Sequence, residues 1–333
     1  MKVVHFQRKQ PPGKFSLEGY FKRVRSLLPE TIHVSIWTMP FFSQGLIRRF
    51  LNIISAFRHQ SDVNHITGDV HYVALLLRRR RTILTIADCE VLTRLKGWKR
   101  RVVKLFWYTI PARRVSAITV ISEETKRILL TEIRFPADAI YVIPVSVSEQ
   151  FQPIPQPFNA GRPRILQIGT KTNKNIIRLT EALNGVDCQL DIVGPISELQ
   201  RQALTENNIS FENYLQLTDQ EIHKLYQQCD IVSFVSTYEG FGMPIVEAQS
   251  IERVCVTSNC SSMPEVGGDG ACFIDPLDIN SIRDGFLRVI NDDEYRTALI
   301  TKGRTNKLRF DARRIAESFA ALYESLAGAE TRT

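Results

Sequence analysis

The stretch DIVSFVSTYEGFGMPIVEA (230–248) predicts a buried strand, a tight turn and a helix in direct succession. Its first part, DIVSFVS, is mostly apolar, as in strands that are buried in a parallel sheet. Pro244 suits the first turn of a helix, and Gly240 and Gly242 allow backbone conformations that other residues avoid. Ligands of open α/β sheets bind beyond the carboxyl ends of the strands, where this turn lies. The stretch therefore predicts an α/β fold with a ligand site at the turn.

The turn and the start of the helix suit an anionic ligand. The amides of Phe241, Gly242 and Met243 could point at it, because the first N–H groups of a helix have no acceptor within the helix. Glu247 falls about one turn into the helix, where a carboxylate suits the helix dipole and could accept from ribose hydroxyls. Spacing alone leaves an alternative open, in which Glu239 and Glu247 are solvated or capping carboxylates.

The rest of the chain alternates strand-like and helix-like segments in two arrays. The apolar runs of the first half predict buried parallel strands: VVHF (3–6), IHVSIW (32–37), VNHI (63–66), TILTI (82–86), AITVIS (117–122) and IYVIPV (140–145). The proline-rich stretch 149–164 predicts a linker, after which the pattern restarts at RILQIG (164–169). We predict two Rossmann-like, doubly wound domains facing across a cleft. Their boundaries are 1–150, a linker at 151–164, 165–310, and a C-terminal helix at 311–333 that could pack back across the linker.

Charge differs strongly between the two halves. Residues 1–150 carry 25 Lys and Arg against 11 Asp and Glu, a net charge of +14, whereas residues 151–333 carry 18 against 24, a net charge of −6. The basic half is expected to face nucleic acid, a membrane surface or a phosphorylated ligand. No module or aromatic–basic pattern of a nucleic-acid reader is present, so we expect no nucleic-acid partner.

Cysteine usage and hydropathy indicate the compartment. The six cysteines form no CxxC pair and mostly lie in apolar stretches, which predicts buried thiols in a reducing compartment. The chain has neither the long apolar N-terminal stretch of a signal peptide nor an apolar run long enough to span a bilayer. We therefore expect a cytoplasmic protein.

Two basic segments, RRRR (78–81) and KRRVVKLFWYTI (99–110), stand out in the first half. At about 100° per residue the second is an amphipathic helix. Its basic face is formed by Arg100, Arg101 and Lys104. Its apolar face is formed by Val102, Val103, Phe106 and Ile110. The apolar face predicts packing on the sheet. The basic face predicts peripheral docking on anionic lipid at the inner face of the plasma membrane, or contact with a phosphorylated acceptor in the cleft.

The stretch 236–248 resembles the Glu-x7-Glu signature of glycosyltransferase family 4, whose members are retaining enzymes with the GT-B fold. The likeness extends over 230–276. A second stretch, LQIGTKTNKNIIRLTEAL (166–183), is similar to the family's first C-domain strand, basic loop and helix. Weaker likeness is found in HITGDVHYVALLL, TILTIAD and AITVISEETK. The resemblance implies a GT-B fold whose N-terminal domain binds the acceptor and whose C-terminal domain binds a nucleotide-sugar.

The resemblance also implies a role for particular residues. Glu247 would hold the ribose, and Glu239 with the Phe241–Met243 amides would hold the transferred sugar. Lys174 would stabilise charge on the departing diphosphate, so Glu239 and Lys174 are the implied catalytic residues. The implied donor-binding residues are Gly13, Gly169, Thr170, Lys171, Lys174, Gly194, Glu239, Gly240, Phe241, Gly242, Met243 and Glu247.

Some positions depart from the family pattern. Ala87, in TIAD, stands where many relatives have histidine. The family's glycine-rich loop after the first strand is replaced by RKQPPGKFS, which leaves Gly13 and Lys14 as candidate phosphate neighbours. Thr170 stands where an arginine is frequent, with Lys171 next.

No metal or other cofactor is expected. His65, Asp69 and His71 could be mistaken for metal ligands, but no fourth ligand is evident and no Asp-x-Asp follows a strand. The chain also lacks a phosphate loop of the NTPases and the glycine fingerprint of the dehydrogenases.

We therefore predict a metal-independent, retaining hexosyltransferase of bacterial surface-polysaccharide or cell-envelope biosynthesis. Its donor would be a nucleotide-sugar, with UDP-glucose expected from its prevalence in the family, and its acceptor a saccharide or a lipid-linked sugar. The departing diphosphate would itself deprotonate the acceptor hydroxyl. Two alternatives stay open: a non-catalytic nucleotide-sugar-binding scaffold, which Ala87 favours, and a nucleotide-sugar epimerase of the same fold.

Overall fold

The computed structural model describes residues 1–9 and 16–328 of the 333-residue chain. The chain folds into two compact units. The first unit comprises Met1–Ser146 with Ala312–Thr333, and the second comprises Val147–Asp311. The proline-rich segment 151–164 thus belongs to the second unit. The last helix belongs to the first unit, although it follows the second unit along the chain.

The described part of the first unit contains a six-stranded, wholly parallel sheet with the order β2-β1-β3-β4-β5-β6. The strands are β1 (Lys2–Gln7), β2 (His33–Thr38), β3 (Val63–Ile66), β4 (Thr82–Ile86), β5 (Ala117–Val120) and β6 (Ile140–Val142). The inner strands β3, β4 and β5 are buried throughout, whereas β2 is an edge strand with exposed residues. All six predicted strands are confirmed.

The described part of the second unit contains a second six-stranded parallel sheet, with the order β12-β11-β10-β7-β8-β9. The strands are β7 (Arg164–Ile168), β8 (Gln189–Val193), β9 (Ser210–Tyr214), β10 (Ile231–Phe234), β11 (Val254–Ser258) and β12 (Cys272–Ile274). From β7 the chain runs outward to β9 and then returns to β10 on the other side of β7. This reversal between β7 and β10 is where open α/β sheets bind ligands.

Helices connect the strands in both units. In the first unit they are α1 (Ser16–Leu27), α2 (Leu46–Arg58), α3 (Glu90–Arg94), α4 (Gly97–Val103), α5 (Ile110–Ala112), α6 (Glu123–Glu132) and α14 (Ala312–Gly328). In the second they are α7 (Ile176–Leu183), α8 (Glu198–Glu206), α9 (Asp219–Gln228), α10 (Met243–Ser250), α11 (Met263–Gly267), α12 (Ile279–Asn291) and α13 (Asp293–Asn306). Helix α9 begins at a capping box of Thr218 and Glu221, whose side chains each accept from the other's backbone amide. Among residues 1–9 and 16–328, no helix combines the length and the apolar composition that crossing a bilayer requires.

The helical segment predicted at 99–110 differs from the prediction. A π-helical turn, Lys104–Thr109, follows α4, and the residues that pack into the core include Val103 and Trp107. Val102 and Phe106 are 45% and 58% exposed, so the prediction that they pack on the sheet is wrong. The sequence argument assumed the rotation of an α-helix, whereas a π-helical turn holds more residues.

The basic face of the same segment is partly neutralised within the first unit. Arg100 and Lys104 both pair with Glu132, with N–O distances of 2.5 and 3.1 Å. Arg100 also donates to the carbonyl of Leu92 at 3.0 Å. Arg101 is exposed. The face therefore presents less positive charge than the sequence pattern predicts.

A chain of hydrogen bonds joins α14 to the first sheet through two buried histidines. Arg25 donates to His5 Nδ1 at 3.3 Å, and the hydroxyl of Tyr323 lies 2.9 Å from His5 Nε2 and 2.7 Å from His65 Nδ1. Because arginine only donates, His5 accepts at Nδ1 and donates from Nε2, and Tyr323 then donates to His65. His65 Nε2 in turn lies 2.7 Å from the hydroxyl of Thr85. This sequence of donors requires both imidazoles to be neutral.

Burial keeps both imidazoles in the neutral form. It lowers the pKa of His65 from 6.5 to about 3. It also lowers the pKa of His5 well below 6.5, an effect to which the neighbouring His65 and Arg25 add. The unfolded chain therefore binds more protons than the folded chain between about pH 3 and pH 6.5. Stability is lost as the pH falls through that window.

We predict that lowering the pH from about 7 to about 5 reduces the free energy of unfolding by about 2 kcal/mol through His65 alone. Urea unfolding followed by tryptophan fluorescence measures this, since Trp37, Trp98 and Trp107 all lie in the first unit. His65→Gln should show a weaker pH dependence, because glutamine does not titrate. His33→Gln, at an exposed position, is the matched control. A pH dependence that is equal in wild type and His65→Gln would contradict the prediction.

Candidate functional site

The candidate site is built at the carboxyl ends of β7 and β10, the central neighbours in the second sheet. Gly169 follows β7 with a φ of 85°, and Gly242 lies in the turn after β10 with a φ of 117°. Residues other than glycine rarely adopt such positive φ values. A Cβ at Gly169 would lie 3.0 Å from Cε of Lys174, and one at Gly242 would lie 3.1 Å from Cδ1 of Ile245. The two glycines therefore allow the loops to approach each other closely.

Lys174 and Glu239 form an ion pair at this edge. Lys174 ends the short 3-10 turn Thr172–Lys174, and its Nζ lies 2.7 Å from Oε1 of Glu239. Both side chains are only 16% exposed. The ammonium also lies 4.4 Å from the ring centroid of Phe234, a cation–π distance. The structure thus brings the two residues that were predicted to be catalytic into direct contact.

Two asparagines fix the loop after β7 to the loop after β10. Nδ2 of Asn173 donates to Oε1 of Glu239 at 3.0 Å and to the carbonyl of Tyr238 at 2.9 Å. Asn175, which has a φ of 60°, donates to the carbonyls of Val235 and Pro276 at 3.2 and 2.7 Å. Sequence reasoning missed both asparagines; the left-handed conformation that asparagine tolerates was the available signal at Asn175.

Serine hydroxyls satisfy the carbonyl side of the glycine-rich turn. Ser261 donates to the carbonyl of Glu239 at 2.6 Å, and the Ser262 hydroxyl lies 2.6 Å from the carbonyl of Phe241. The amide groups behave differently. Within the described residues, no acceptor contacts the N–H groups of Phe241, Gly242 or Met243. Three N–H groups at the start of α10 therefore have no hydrogen-bond partner among the described residues, as is usual for the first turn of a helix.

Glu247 lies on α10 and is oriented by a tyrosine from α9. The hydroxyl of Tyr226 donates to Oε2 of Glu247 at 2.5 Å. Burial and the neighbouring Glu247 carboxylate raise the pKa of Tyr226 well above 10.0, so the phenol keeps the proton that it donates. Phe151 packs edge-on against the same ring, with 5.2 Å between the centroids. Sequence reasoning missed Tyr226, although a buried tyrosine usually requires a partner for its hydroxyl.

Thr170 and Gly194 join the loops after β7 and β8. The Thr170 hydroxyl donates to the carbonyl of Pro195 at 2.5 Å, and the Thr170 carbonyl accepts from Gln200 at 2.8 Å. Gly194 has a φ of 120°, and a Cβ there would lie 3.3 Å from the Thr170 side chain. Lys171 is exposed beside them. These predicted residues thus form a second contact at the same edge of the sheet.

The remaining predicted residues are placed as follows. Gly240 is half-buried in the turn between Glu239 and α10. Gly13 and Lys14 lie outside the described residues. Ala87 directly follows β4, at the carboxyl edge of the first sheet.

The three residues considered as metal ligands have other partners. His65 belongs to the network with Tyr323, Nδ1 of His71 contacts the carbonyl of Trp107 at 2.8 Å, and Asp69 accepts from the Trp107 indole at 2.7 Å. In the part of the chain that the structure describes, no group of three or more His, Cys, Asp or Glu residues is arranged to hold a metal ion.

Comparison with known proteins shows that the chain is similar to proteins whose names describe sugar transfer. Residues 148–306 match the family model of glycosyl transferases group 1, a range that includes every residue of the candidate site from Gly169 to Glu247. The chain is 26% identical over 216 residues to O-antigen chain mannosyltransferase B of Escherichia coli, covering 58% of this chain and 56% of that protein. It is 24% identical over 258 residues to the MMP alpha-(1->4)-mannosyltransferase of Mycolicibacterium hassiacum, covering 71% and 62%. The chain thus spans 56% and 62% of the length of these relatives.

The solved structures confirm the predicted fold. The chain superposes on the crystal structure of Anabaena Alr3699/HepE in complex with UDP and glucose with a TM-score of 0.77. The match covers 98% of this chain and 100% of that chain, at 16% sequence identity. The fold is therefore GT-B, as the sequence resemblance implied.

The packing of Lys174 on Gly169 generates a prediction. Gly169→Ala should cost about 1 kcal/mol of stability through its positive φ and should also displace the Lys174 side chain. Gly185→Ala is the matched control, because Gly185 has a φ of 76° and a Cβ at that position would meet no heavy atom within 4 Å. Calorimetry with a nucleoside diphosphate should show weaker binding, by about tenfold or 1.4 kcal/mol, in Gly169→Ala alone. Equal binding by the two variants would contradict a diphosphate role for Lys174.

Proposed function

We propose that the chain is a retaining, metal-independent hexosyltransferase of family 4 that acts in the assembly of a bacterial surface polysaccharide. It would transfer a hexose from a nucleoside-diphosphate sugar to a saccharide or lipid-linked acceptor. The observation that carries the proposal is the Lys174–Glu239 pair beside the three N–H donors at the start of α10. A cation and amide donors suit a diphosphate, whereas a carboxylate suits sugar hydroxyls. The group 1 match over 148–306 supports the same interpretation.

Glu247 would bind the ribose of the donor. Its carboxylate is half-buried and is held in one orientation by Tyr226, so little side-chain entropy is lost when hydroxyl groups bind to it. Thr170 and Gly194 would border the path of the base and ribose along the carboxyl ends of β7 and β8, where Gly194 lets the two loops pack closely. The first unit would bind the acceptor.

Lys174 and Glu239 would exchange partners when the donor binds. Lys174 would turn its charge to the diphosphate, and Glu239 would accept from hydroxyls of the transferred sugar together with the turn amides. Because both groups are already held by Asn173 and Phe234, the site needs little rearrangement as charge develops on the leaving group. The departing diphosphate would then take the proton of the acceptor hydroxyl on the same face of the sugar. No dedicated protein base is required, which accommodates Ala87.

Experiments can identify the sugar and the base of the donor. The names of the two relatives favour a mannosyl donor, whereas prevalence in family 4 favours UDP-glucose. A thermal-shift panel of uridine, guanosine, adenosine and cytidine diphosphate hexoses identifies the donor, because a bound ligand raises stability by mass action. Transfer of a labelled hexose to a saccharide primer then tests the enzyme. A scaffold would bind donor without transfer, and an epimerase would convert donor with no acceptor present.

The expected compartment is the cytoplasm. Buried thiols are typical of proteins that stay in a reducing environment. Five cysteines are of this kind: Cys89, Cys188, Cys229, Cys255 and Cys272.

The two glutamates should have separable effects on the donor. Glu247→Ala should weaken binding of the bare nucleoside diphosphate by about 1.5–3 kcal/mol, because a charge-assisted hydrogen bond to ribose is lost. Glu239→Ala should reduce turnover more than it weakens binding of the bare nucleotide, since its partner is the sugar. Isothermal calorimetry and a transfer assay measure these two quantities. Glu252→Ala, which removes a carboxylate paired with Arg304 away from the site, is the control. Equal losses of nucleotide affinity in the two site variants would contradict the assignment of Glu247 to the ribose and Glu239 to the sugar.

Transfer should not depend on a divalent metal. Lys174 and the turn amides supply the positive charge that an ion would otherwise provide, so full activity should persist in excess EDTA. The transfer assay with and without chelator measures this. Loss of turnover in chelator that manganese or magnesium restores would show that the diphosphate requires a metal.

A further inference from the structure

Helix α2 (Leu46–Arg58) carries apolar side chains on a buried face and on an exposed face beside it. One face is buried in the first unit through Asn52, Ile53 and Ala56. The other face carries large apolar side chains that are 41–82% exposed. We call them the apolar stripe: Leu46, Ile47, Phe50, Leu51 and Phe57. At about 100° per residue these five positions fall within one side of the helix.

Such a stripe requires an explanation. Single exposed leucines are ordinary, but a contiguous group of large apolar side chains on a water-soluble surface usually marks a place where something binds. Phe41 and Phe42, in the loop before α2, are also about 40% exposed and extend the apolar surface. The buried face already packs α2 into the first unit, and the stripe adds a large exposed apolar surface beyond that contact.

The charges around the stripe indicate what covers it. Residues 31–61 contain no aspartate or glutamate, whereas α2 itself carries Arg48, Arg49 and Arg58. Arg48 and Arg58 are exposed beside the stripe, and Lys9 lies 5.3 Å from the ring centroid of Phe42. An apolar band with basic residues along it is complementary to an anionic bilayer, in which apolar side chains enter the headgroup boundary and cations contact phosphates.

The helical segment 97–109, which comprises α4 and the π-helical turn, also exposes both apolar and basic side chains. The guanidinium of Arg49 lies 5.1 Å from the ring centroid of Trp107, so α2 and the π-helical turn are adjacent. Trp98, Leu105 and Phe106 are exposed on that segment. Lys99 and Arg101 are exposed with them, and residues 97–122 contain no acidic side chain. Tryptophan and arginine together are frequent where a protein meets the lipid headgroups.

A second copy of the chain fits this surface less well. A two-fold contact across the stripe would bring Arg48 and Arg58 of one copy close to the arginines of the other. Residues 31–61 offer no carboxylate to offset that repulsion. Anionic lipid meets the same charges favourably.

We propose that α2 lies in the plane of an anionic lipid bilayer, with the apolar stripe inserted at the headgroup boundary and Arg48 and Arg58 on lipid phosphates. The proposal does not rest on the proposed sugar transfer. It replaces the predicted basic face of Arg100, Arg101 and Lys104 as the docking surface, because Arg100 and Lys104 pair with Glu132. Because insertion is partly apolar, high salt should weaken binding without abolishing it.

Co-sedimentation of the full chain with vesicles tests the proposal. Vesicles of phosphatidylglycerol and phosphatidylcholine should bind the wild type, and vesicles of phosphatidylcholine alone should bind it less. The triple variant Leu46→Ser/Ile47→Ser/Phe50→Ser should bind the anionic vesicles at least about tenfold more weakly. The matched control is Leu199→Ser/Leu277→Ser/Leu308→Ser, which removes leucines that are 56–69% exposed in the second unit and should bind as wild type does. Near-ultraviolet circular dichroism establishes that both variants are folded.

Three further measurements keep the test decisive. Arg48→Gln/Arg58→Gln should reduce binding to anionic vesicles several-fold, and at about 0.5 M salt the wild type should still bind more than the stripe variant does. The proposal is overturned if the stripe variant binds anionic vesicles as well as the wild type does, or if the leucine control loses binding equally. It is also overturned if the wild type does not bind anionic vesicles at low salt. A dimer in light scattering that the stripe variant dissociates, with no vesicle binding, would assign the stripe to self-association instead.

Discussion

Every strand pairing in the two sheets is parallel, and the candidate site depends on that constraint. In a parallel sheet all the carboxyl ends lie along one edge, so residues that are distant in sequence become neighbours there. Lys174 and Glu239 are 65 positions apart, but they follow the adjacent strands β7 and β10 and meet at 2.7 Å. The loops at that edge must satisfy their own polar groups. Asn173 and Ser262 do so by donating to the carbonyls of Tyr238 and Phe241 in the turn before α10.

Much of the fold could be predicted because inner strands of parallel sheets are buried on both faces. Runs such as TILTI and DIVSFVS are therefore recognisable without any structure. The strand Ser210–Tyr214 was missed, because an edge strand is half-exposed and its polar residues carry no continuous apolar signal. The last helix was predicted, but amphipathy does not identify the sheet on which a helix packs. Phe319 and Tyr323 select the first sheet through contacts with residues some 300 positions earlier, a separation that no local pattern contains.

The sequence predicts only those parts of the site whose residues lie close together along the chain. The glycine-rich turn and Glu247 follow from a strand, a proline and a helix start, and the role of Lys174 came from family resemblance. Tyr226 was missed because a buried aromatic residue on a helix looks like core until its hydroxyl is seen on Glu247, 21 positions away. The basic face at 100–104 shows the opposite failure. Its charges are evident in the sequence, but their partner Glu132 belongs to a different helix.

The assignment of α14 to the first unit has a consequence for biosynthesis. The chain leaves the ribosome from its N-terminus, so His5 and His65 are synthesised long before Tyr323, their shared hydrogen-bond partner. The second unit is continuous in sequence and can fold while the end of the chain is still being made. The first unit cannot close its core until residues 312–328 have emerged. Until then the apolar side chains around Phe21 lack the packing partners that Phe319 and Tyr323 provide, so this part of the first unit's core stays exposed to water.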